Sequence, residues 1–242
     1  MIKLNSDLAE GFGSWKKGND EEIMRYIDMA NLACGFHAGD PLVMTKAVKS
    51  AKQNSVTIGA HPGYQDLLGF GRRSIPYTKE ELKAAVIYQI GALRALANSQ
   101  EVDISYVKPH GALYNDMMRD EEIFKTIVEA LSSYDNSLKL MILSSSKNSS
   151  YSALAKSCKI KLIYEAFADR AYDDEGFLLS RSKEGSVISE VESVLKRVET
   201  MANEGVIYSV SGKRLELEID SLCVHGDNEK ALELTKRIRE IL

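Results

Sequence analysis

The chain has 242 residues, 44% hydrophobic and 27% charged, with 31 Lys and Arg against 35 Asp and Glu and a formal net charge of −4. That length suits one large core of barrel size, expected here as one domain over 1–242. No Lys/Arg-rich patch argues for a nucleic-acid partner, and no apolar run approaches the roughly 20 residues that span a bilayer, so a cytoplasmic protein without a membrane partner is expected. The cysteines (Cys34, Cys158, Cys223) are too scattered for a disulfide framework and lack CxxC spacing; they read as reduced thiols in or near the core.

In chain order, "IKLN" reads as a short strand, followed by the acids Asp7 and Glu10. "MANLAC" is a second strand and leads to His37 and to Asp40, which reads as a helix cap with Pro41 at the first helical position. "VTIGA" is a third, ending at His61, and the Gly-rich loop "LLGFGRRSIP" with Arg72 and Arg73 comes after it. Thr78 and Glu81 form a capping box before a stripe of Leu82, Val86, Ile90, Leu93 and Leu96. "ISYVK" is a fourth strand and runs into Lys108, Pro109 and His110. A helix follows Asp120, then the strands "LKLMIL" and "KLIYEA", with Glu165, Asp169 and Arg170 placed after the latter. A helical stripe from Ile188 to Ala202 precedes a hairpin over Val206 to Ile219, turning at Ser211-Gly212. The strand "SLCV" then leads to His225 and to Asp227, which caps the last helix.

Near-continuous apolar strands alternating with helices indicate a parallel sheet covered by helices. Seven such strands, with a hairpin inserted before the last, favour an α/β fold of the TIM-like (β/α) barrel type with seven strands. A doubly wound open sheet is the alternative.

The chemistry gathers at strand ends. His37, His61, His110 and His225 each follow a strand and precede a Gly within two residues. In a barrel all those ends meet on one face, where active sites are built, so Lys108 and His110 are expected at the mouth of a polar pocket. A buried ammonium there needs an anion, and Asp7 or Asp169 is expected to meet it. Competing readings stand beside several of these residues. Asp40 and Asp227 suit caps alone, and Asp169 and Arg170 suit a mutual ion pair. The Arg72/Arg73 loop is either solvated or an anion site. His and Asp at strand ends suit a divalent metal, but there is no HExxH or other tight ligand spacing, so no firm metal site is read. There is no GxxxxGK[ST] phosphate loop and no G-x-S-x-G.

The segments "LNSDLAEGFGSW", "NLACGFHAGDP", "IGAHPGYQDLLGFGRR", "VKPHGALYN", "EAFADRAYDDEG" and "DSLCVHGDN" together resemble the LamB/YcsF family, the A subunits of prokaryotic 5-oxoprolinase. The resemblance implies a barrel like those of glycoside hydrolases and polysaccharide deacetylases. It also implies ATP-dependent opening of 5-oxo-L-proline to L-glutamate, with Mg2+ as the counterion of ATP and with B and C subunits as partners. Asn5, Asp7 and Glu10 match the family's opening D-L-N-x-D-x-G-E, whereas Lys3 stands where an Asp is usual and Ala9 where a Gly is. Lys3 is expected on the outer face of its strand.

A γ-lactam is a stable amide, and phosphorylating its oxygen would activate it. That chemistry needs cations, for which Lys108, Arg170, Arg72 and Arg73 are candidates, and an acid/base, for which His61, His110 or Asp7 are. The expected catalytic group is therefore Asp7, His61, Lys108, His110, Asp169 and Arg170. The expected substrate-binding group is Asn5, Glu10, His37, Asp40, Arg72, Arg73, Glu165, His225 and Asp227. A metal-dependent deacetylase or carbohydrate hydrolase, and a non-catalytic lactam-binding protein, are the alternatives.

Overall fold

The computed structural model describes residues 2–181, 183–224 and 229–242. His225 and Asp227, both expected at the site, lie outside the described residues. The elements run β1 (Lys3–Leu8), α1 (Asp20–Ile23), β2 (Met29–Ala33), α2 (Pro41–Gln53), β3 (Thr57–His61), α3 (Lys79–Asn98), β4 (Ile104–Val107), α4 (Gly111–Arg119), α5 (Glu121–Tyr134), β5 (Lys139–Leu143), α6 (Asn148–Ser157), β6 (Leu162–Phe167), α7 (Val191–Glu204), β7 (Val206–Tyr208), β8 (Arg214–Glu216), β9 (Ser221–Val224) and α8 (Glu229–Ile241). Strands β1, β2, β3, β4, β5, β6 and β9 close in that order into a parallel barrel, and β9 pairs back with β1. The open sheet is thereby excluded. The expected hairpin is present as antiparallel β7 and β8, which sit outside the barrel. Gly212, at φ 85°, lies in its turn.

Two layers of packing follow from strand alternation, since successive side chains take opposite faces. Leu4, Leu32, Ile58, Val107, Leu140, Ile142 and Leu222 join the large apolar cluster that also holds helix residues such as Val48, Val86, Ile90, Phe124 and Ile127. Met29, Tyr106, Met141 and Ile163 form a separate small cluster, the apolar floor of the barrel interior. Gly59 is part of this floor: a Cβ there would stand 2.2 Å from the Tyr106 ring, so the tyrosine crosses the interior only because its neighbour on β3 lacks a side chain. Lys3 alternates with Asn5 and Asp7 and so takes their side of β1, not the outer face. It lies at the amino-terminal end of the barrel, half exposed, with Nζ 3.8 Å from Asp28.

The helix starts match their local chemistry. Thr78 and Glu81 make the reciprocal capping box of α3, and Asp40 accepts from Leu42 N and Val43 N at the start of α2. The barrel strands run further than their apolar letters suggest. β1 extends through Leu8 and β6 through Phe167, so Asp7 and Glu165 lie within strands and not after them.

Directly after β1, Ala9 is fully buried with φ of 60°, a left-handed conformation that disfavours any residue with a Cβ. This is the position where the family pattern has Gly. The backbone N–H of Ala9 donates to Asp20 Oδ2 at 2.8 Å. Burial pushes the Asp20 carboxyl up to about 6, against the opposing pull of that hydrogen bond.

Ala9→Gly is expected to relieve roughly 1 kcal/mol of strain and to raise Tm by about 2–4 °C, read by thermal unfolding. Asp20 binds its proton more tightly in the folded state, so its contribution to stability is full below the unfolded pKa and is lost as pH rises through about 6. Asp20→Asn is expected to remove that loss. The Tm difference between wild type and variant then widens in the variant's favour between acid and neutral pH, and a constant difference would contradict the assignment.

Candidate active site

Inside the upper barrel, Lys108 directly follows β4 and its ammonium is 2% exposed. Its Nζ lies 2.9 Å from Asp7 Oδ1 and 2.8 Å from Glu165 Oε1, with Asn5 Oδ1 at 3.4 Å and Cys223 Sγ at 3.3 Å. Burial opposes the charge on Lys108, but the carboxylates of Asp7 and Glu165 outweigh it and hold the pKa well above the usual lysine value. Of the two anions expected to meet this cation, Asp7 does so. Asp169 is half-buried beyond β6 and does not line the cavity described below.

A polar network extends downward from this ion cage. Asn31 Nδ2 donates to Asn5 Oδ1 at 2.7 Å and to Asp7 Oδ1 at 2.8 Å. Asn5 Nδ2 donates to Ser221 Oγ at 2.7 Å, and Tyr106 donates to Asn31 Oδ1 at 2.6 Å. Tyr114, on α4, donates to Glu165 Oε2 at 2.9 Å. Asn5 thus belongs to the framework beneath the site.

Three imidazoles sit beside the cage. His61, the last residue of β3, places Nδ1 2.6 Å from the Lys108 carbonyl oxygen. His110 caps α4 and places Nε2 2.9 Å from the Phe70 carbonyl oxygen. A carbonyl only accepts, so each of these nitrogens carries the proton. The remaining nitrogens, His61 Nε2 and His110 Nδ1, face one another at 3.0 Å. His61 Nε2 is 3.5 Å from Asp7 Oδ2, and His110 Nδ1 is 3.5 Å from Glu10 Oε1. His37 is fully buried and stacks on His110 with ring centroids 3.7 Å apart. Burial first, then the neighbouring imidazoles, pushes the pKa of both His37 and His110 well below the usual histidine value. Glu10 is held by Lys17 at 3.1 Å, yet burial and the Asp7 charge raise its pKa. The convergence expected of the strand-end histidines therefore holds for the three that are described.

Above this group opens a cavity of roughly 220 Å³ lined by Asp7, Glu10, His61, Lys108 and His110, with Arg72, Arg119, Arg170 and Arg181 among its other wall residues. That volume is below the roughly 300–1,000 Å³ of pockets for drug-sized ligands and suits a small molecule.

Several of the expected site residues have structural partners. Arg73 does not reach the cavity; its guanidinium pairs with Asp66, pinning the Gly-rich loop, while Arg72 does line the cavity. Asp40 is spent as a cap, with its Oδ2 also accepting from Gly13 N at 2.7 Å. Arg170 donates Nε to Ser186 O at 3.1 Å and Nη2 to Leu179 O at 2.5 Å; it braces the loop after β6, and burial lowers its pKa to about 10. Lys108 borders the cavity and is paired at rest with Asp7 and Glu165, which it holds in place. Residues not singled out from the sequence include Asn31, Tyr114, Cys223, Arg119 and Arg181. Of these, Asn31 had a signal, as the one polar residue of the strand "MANLA".

A closed parallel barrel with titratable groups gathered at the carboxyl ends of its strands defines an enzyme-like α/β barrel. The LamB/YcsF family profile matches residues 2–242, and the chain belongs to that family. It is 50% identical to the 5-oxoprolinase A subunit of Pyrococcus abyssi over 100% of this chain and 93% of that relative. It is 48% identical to the 5-oxoprolinase A subunit of Vibrio vulnificus over 100% of this chain and 97% of that relative. The lactam utilization protein of Thermus thermophilus superposes with a TM-score of 0.91 at 39% identity, covering 100% of this chain and 95% of that one.

Removing one partner of a buried ion cluster leaves uncompensated charge and costs about 3–5 kcal/mol. Lys108→Met is therefore expected to lower Tm by roughly 10 °C. Adding Glu165→Gln to Lys108→Met should recover part of that loss. Tm values for the single and double variants check it, and purely additive losses would disprove the cage.

Proposed function

We propose that this chain is the A subunit of an ATP-dependent 5-oxoprolinase, opening 5-oxo-L-proline to L-glutamate together with B and C subunits. The observation that carries the reading is near-half identity, over the full chain, to relatives named as A subunits of 5-oxoprolinase. The site's chemistry agrees with it. Opening the lactam adds water to C5, breaks the C5–N bond and places a proton on the departing nitrogen. Asp7 borders the cavity, is only partly exposed and is oriented by Lys108 and Asn31, which suits a base that accepts the proton of the attacking water. The substrate carboxylate has Arg72, Arg119 and Arg181 at the rim and the N-terminus of α4 nearby.

ATP, with Mg2+, enters as the reagent that phosphorylates the lactam oxygen and leaves as ADP; the first water and C5–N cleavage then give the γ-carboxyl phosphate, and a second water releases inorganic phosphate and L-glutamate. The cavity is small for a nucleotide, and the sequence has no phosphate-binding GxxxxGK[ST] loop. ATP is therefore assigned to the assembled enzyme and not to this barrel alone.

The test is glutamate and ADP formed by the chain alone, by the B and C subunits alone and by all three together. Turnover is expected only in the full assembly. Asp7→Asn should cut it by about 10²–10⁴-fold while 5-oxoproline binding persists. Turnover that needs no ATP would favour a simple hydrolase, and undiminished turnover by Asp7→Asn would move the base elsewhere.

A further inference from the structure

We propose that Glu10, His37, His61 and His110 form a binding site for one divalent transition-metal ion of the zinc class. The inference goes beyond the lactam reading and stands without it. Among the described residues these four form the one group whose donor atoms all lie within 4.8 Å of one another.

Three separate features converge. The first is the lone-pair conflict. His61 and His110 each commit one ring nitrogen as donor to a backbone carbonyl, at 2.6 and 2.9 Å. With both rings neutral, two unprotonated nitrogens face each other at 3.0 Å. Facing lone pairs repel, and a cation between or beside them removes the repulsion.

The second is His37. It is 0% exposed, and neither its Nδ1 nor its Nε2 has a hydrogen-bond partner. A buried polar side chain without a partner is costly and rare. His37 Nε2 lies 4.0 Å from Glu10 Oε1, on the side of the cluster. The His37 ring lies parallel to His110, with 4° between the planes and centroids 3.7 Å apart, so it must turn out of that stack for one ion to lie in both ring planes.

The third is support for the ligands. Metal-binding imidazoles commonly donate their other N–H to a carbonyl or carboxylate, which fixes tautomer and ring orientation. His61 and His110 both do so. Glu10 Oε2 is tied to Lys17 at 3.1 Å, leaving Oε1 directed toward the imidazoles. Two donor pairs, at 3.0 and 3.5 Å, lie near the separation of about 3.3 Å that tetrahedral ligands at zinc distances require; the whole set spans up to 4.8 Å and must draw in around the ion. Three imidazoles and one carboxylate suit zinc over the all-oxygen preference of calcium or magnesium.

The experiment uses the full chain and needs no activity. Purified protein is analysed for bound metal, stripped with dipicolinate, and titrated with zinc and with cobalt(II). One ion per chain is expected, with cobalt giving visible absorption bands of a low-coordinate nitrogen–oxygen site. His37→Ala and Glu10→Gln should each weaken zinc binding by about tenfold or more, with circular dichroism reporting whether they fold. Glu10→Gln preserves size and decides the matter if His37→Ala does not fold. Stripped wild-type protein that binds neither metal would overturn the site and leave a proton shared between His61 and His110. Affinity unchanged in the folded variants would equally overturn it, placing any bound ion elsewhere. Metal bound without lactam opening in the full assembly would fail the proposed function and leave this site standing.

Discussion

The constraint on which this barrel turns is a lysine ammonium kept out of water. An isolated buried charge is prohibitively costly, and Lys108 is tolerable only because β1 and β6 deliver Asp7 and Glu165 to it at 2.9 and 2.8 Å. Those two carboxylates come from opposite neighbours of β9, while Lys108 comes from β4 across the interior. One cation thus ties together strands that share no hydrogen bonds. A one-residue slip of β1 would carry Asp7 to the helix-facing side and break the cluster. Register and active-site geometry are therefore set by the same ion cage.

The barrel interior is graded from end to end as a consequence. Met29, Tyr106, Met141 and Ile163 close it below with apolar groups. The Asn5–Asn31–Ser221 amides and hydroxyl occupy the next level. The charged and imidazole groups crowd the top, beneath a rim that carries arginines. Negative charge lies deep and positive charge lies at the entrance.

What the sequence disclosed follows the same physics. Strand ends were legible because apolar runs stop sharply at His61 and at Lys108, and the closed barrel then brings those ends together with His37. The caps at Asp40 and Thr78 were legible because capping is a contact within three residues. Arg73 was not, since its fate depends on Asp66 seven residues away in a folded loop. The role of Glu165 was not legible, because a charge inside a barrel strand is accepted only where another strand neutralises it, here with Lys108. The tautomers of His61 and His110 depend on which backbone carbonyl each ring meets, and no local pattern encodes that.

The Lys-Pro-His ending of β4 has a physical explanation in these contacts. Lys108 N and His110 N still donate to Ala60 O and Pro62 O, at 2.9 and 2.8 Å, so the pairing with the β3 side continues past the formal strand end. In an extended chain the intervening N–H would point away from that neighbour, and Pro109 occupies the position where its absence costs nothing there. The carbonyl of Lys108 accepts from His61 Nδ1, while its ammonium meets Asp7, whose other oxygen faces His61 Nε2 at 3.5 Å. Main chain and side chain of one residue thus close a ring with His61 and Asp7. The ammonium fixes the carboxylate, the carbonyl fixes the imidazole tautomer, and two residues further on the chain supplies the second imidazole. A cation and an imidazole finish this strand because the one orients Asp7 and, through its carbonyl, His61, and the other completes the imidazole pair.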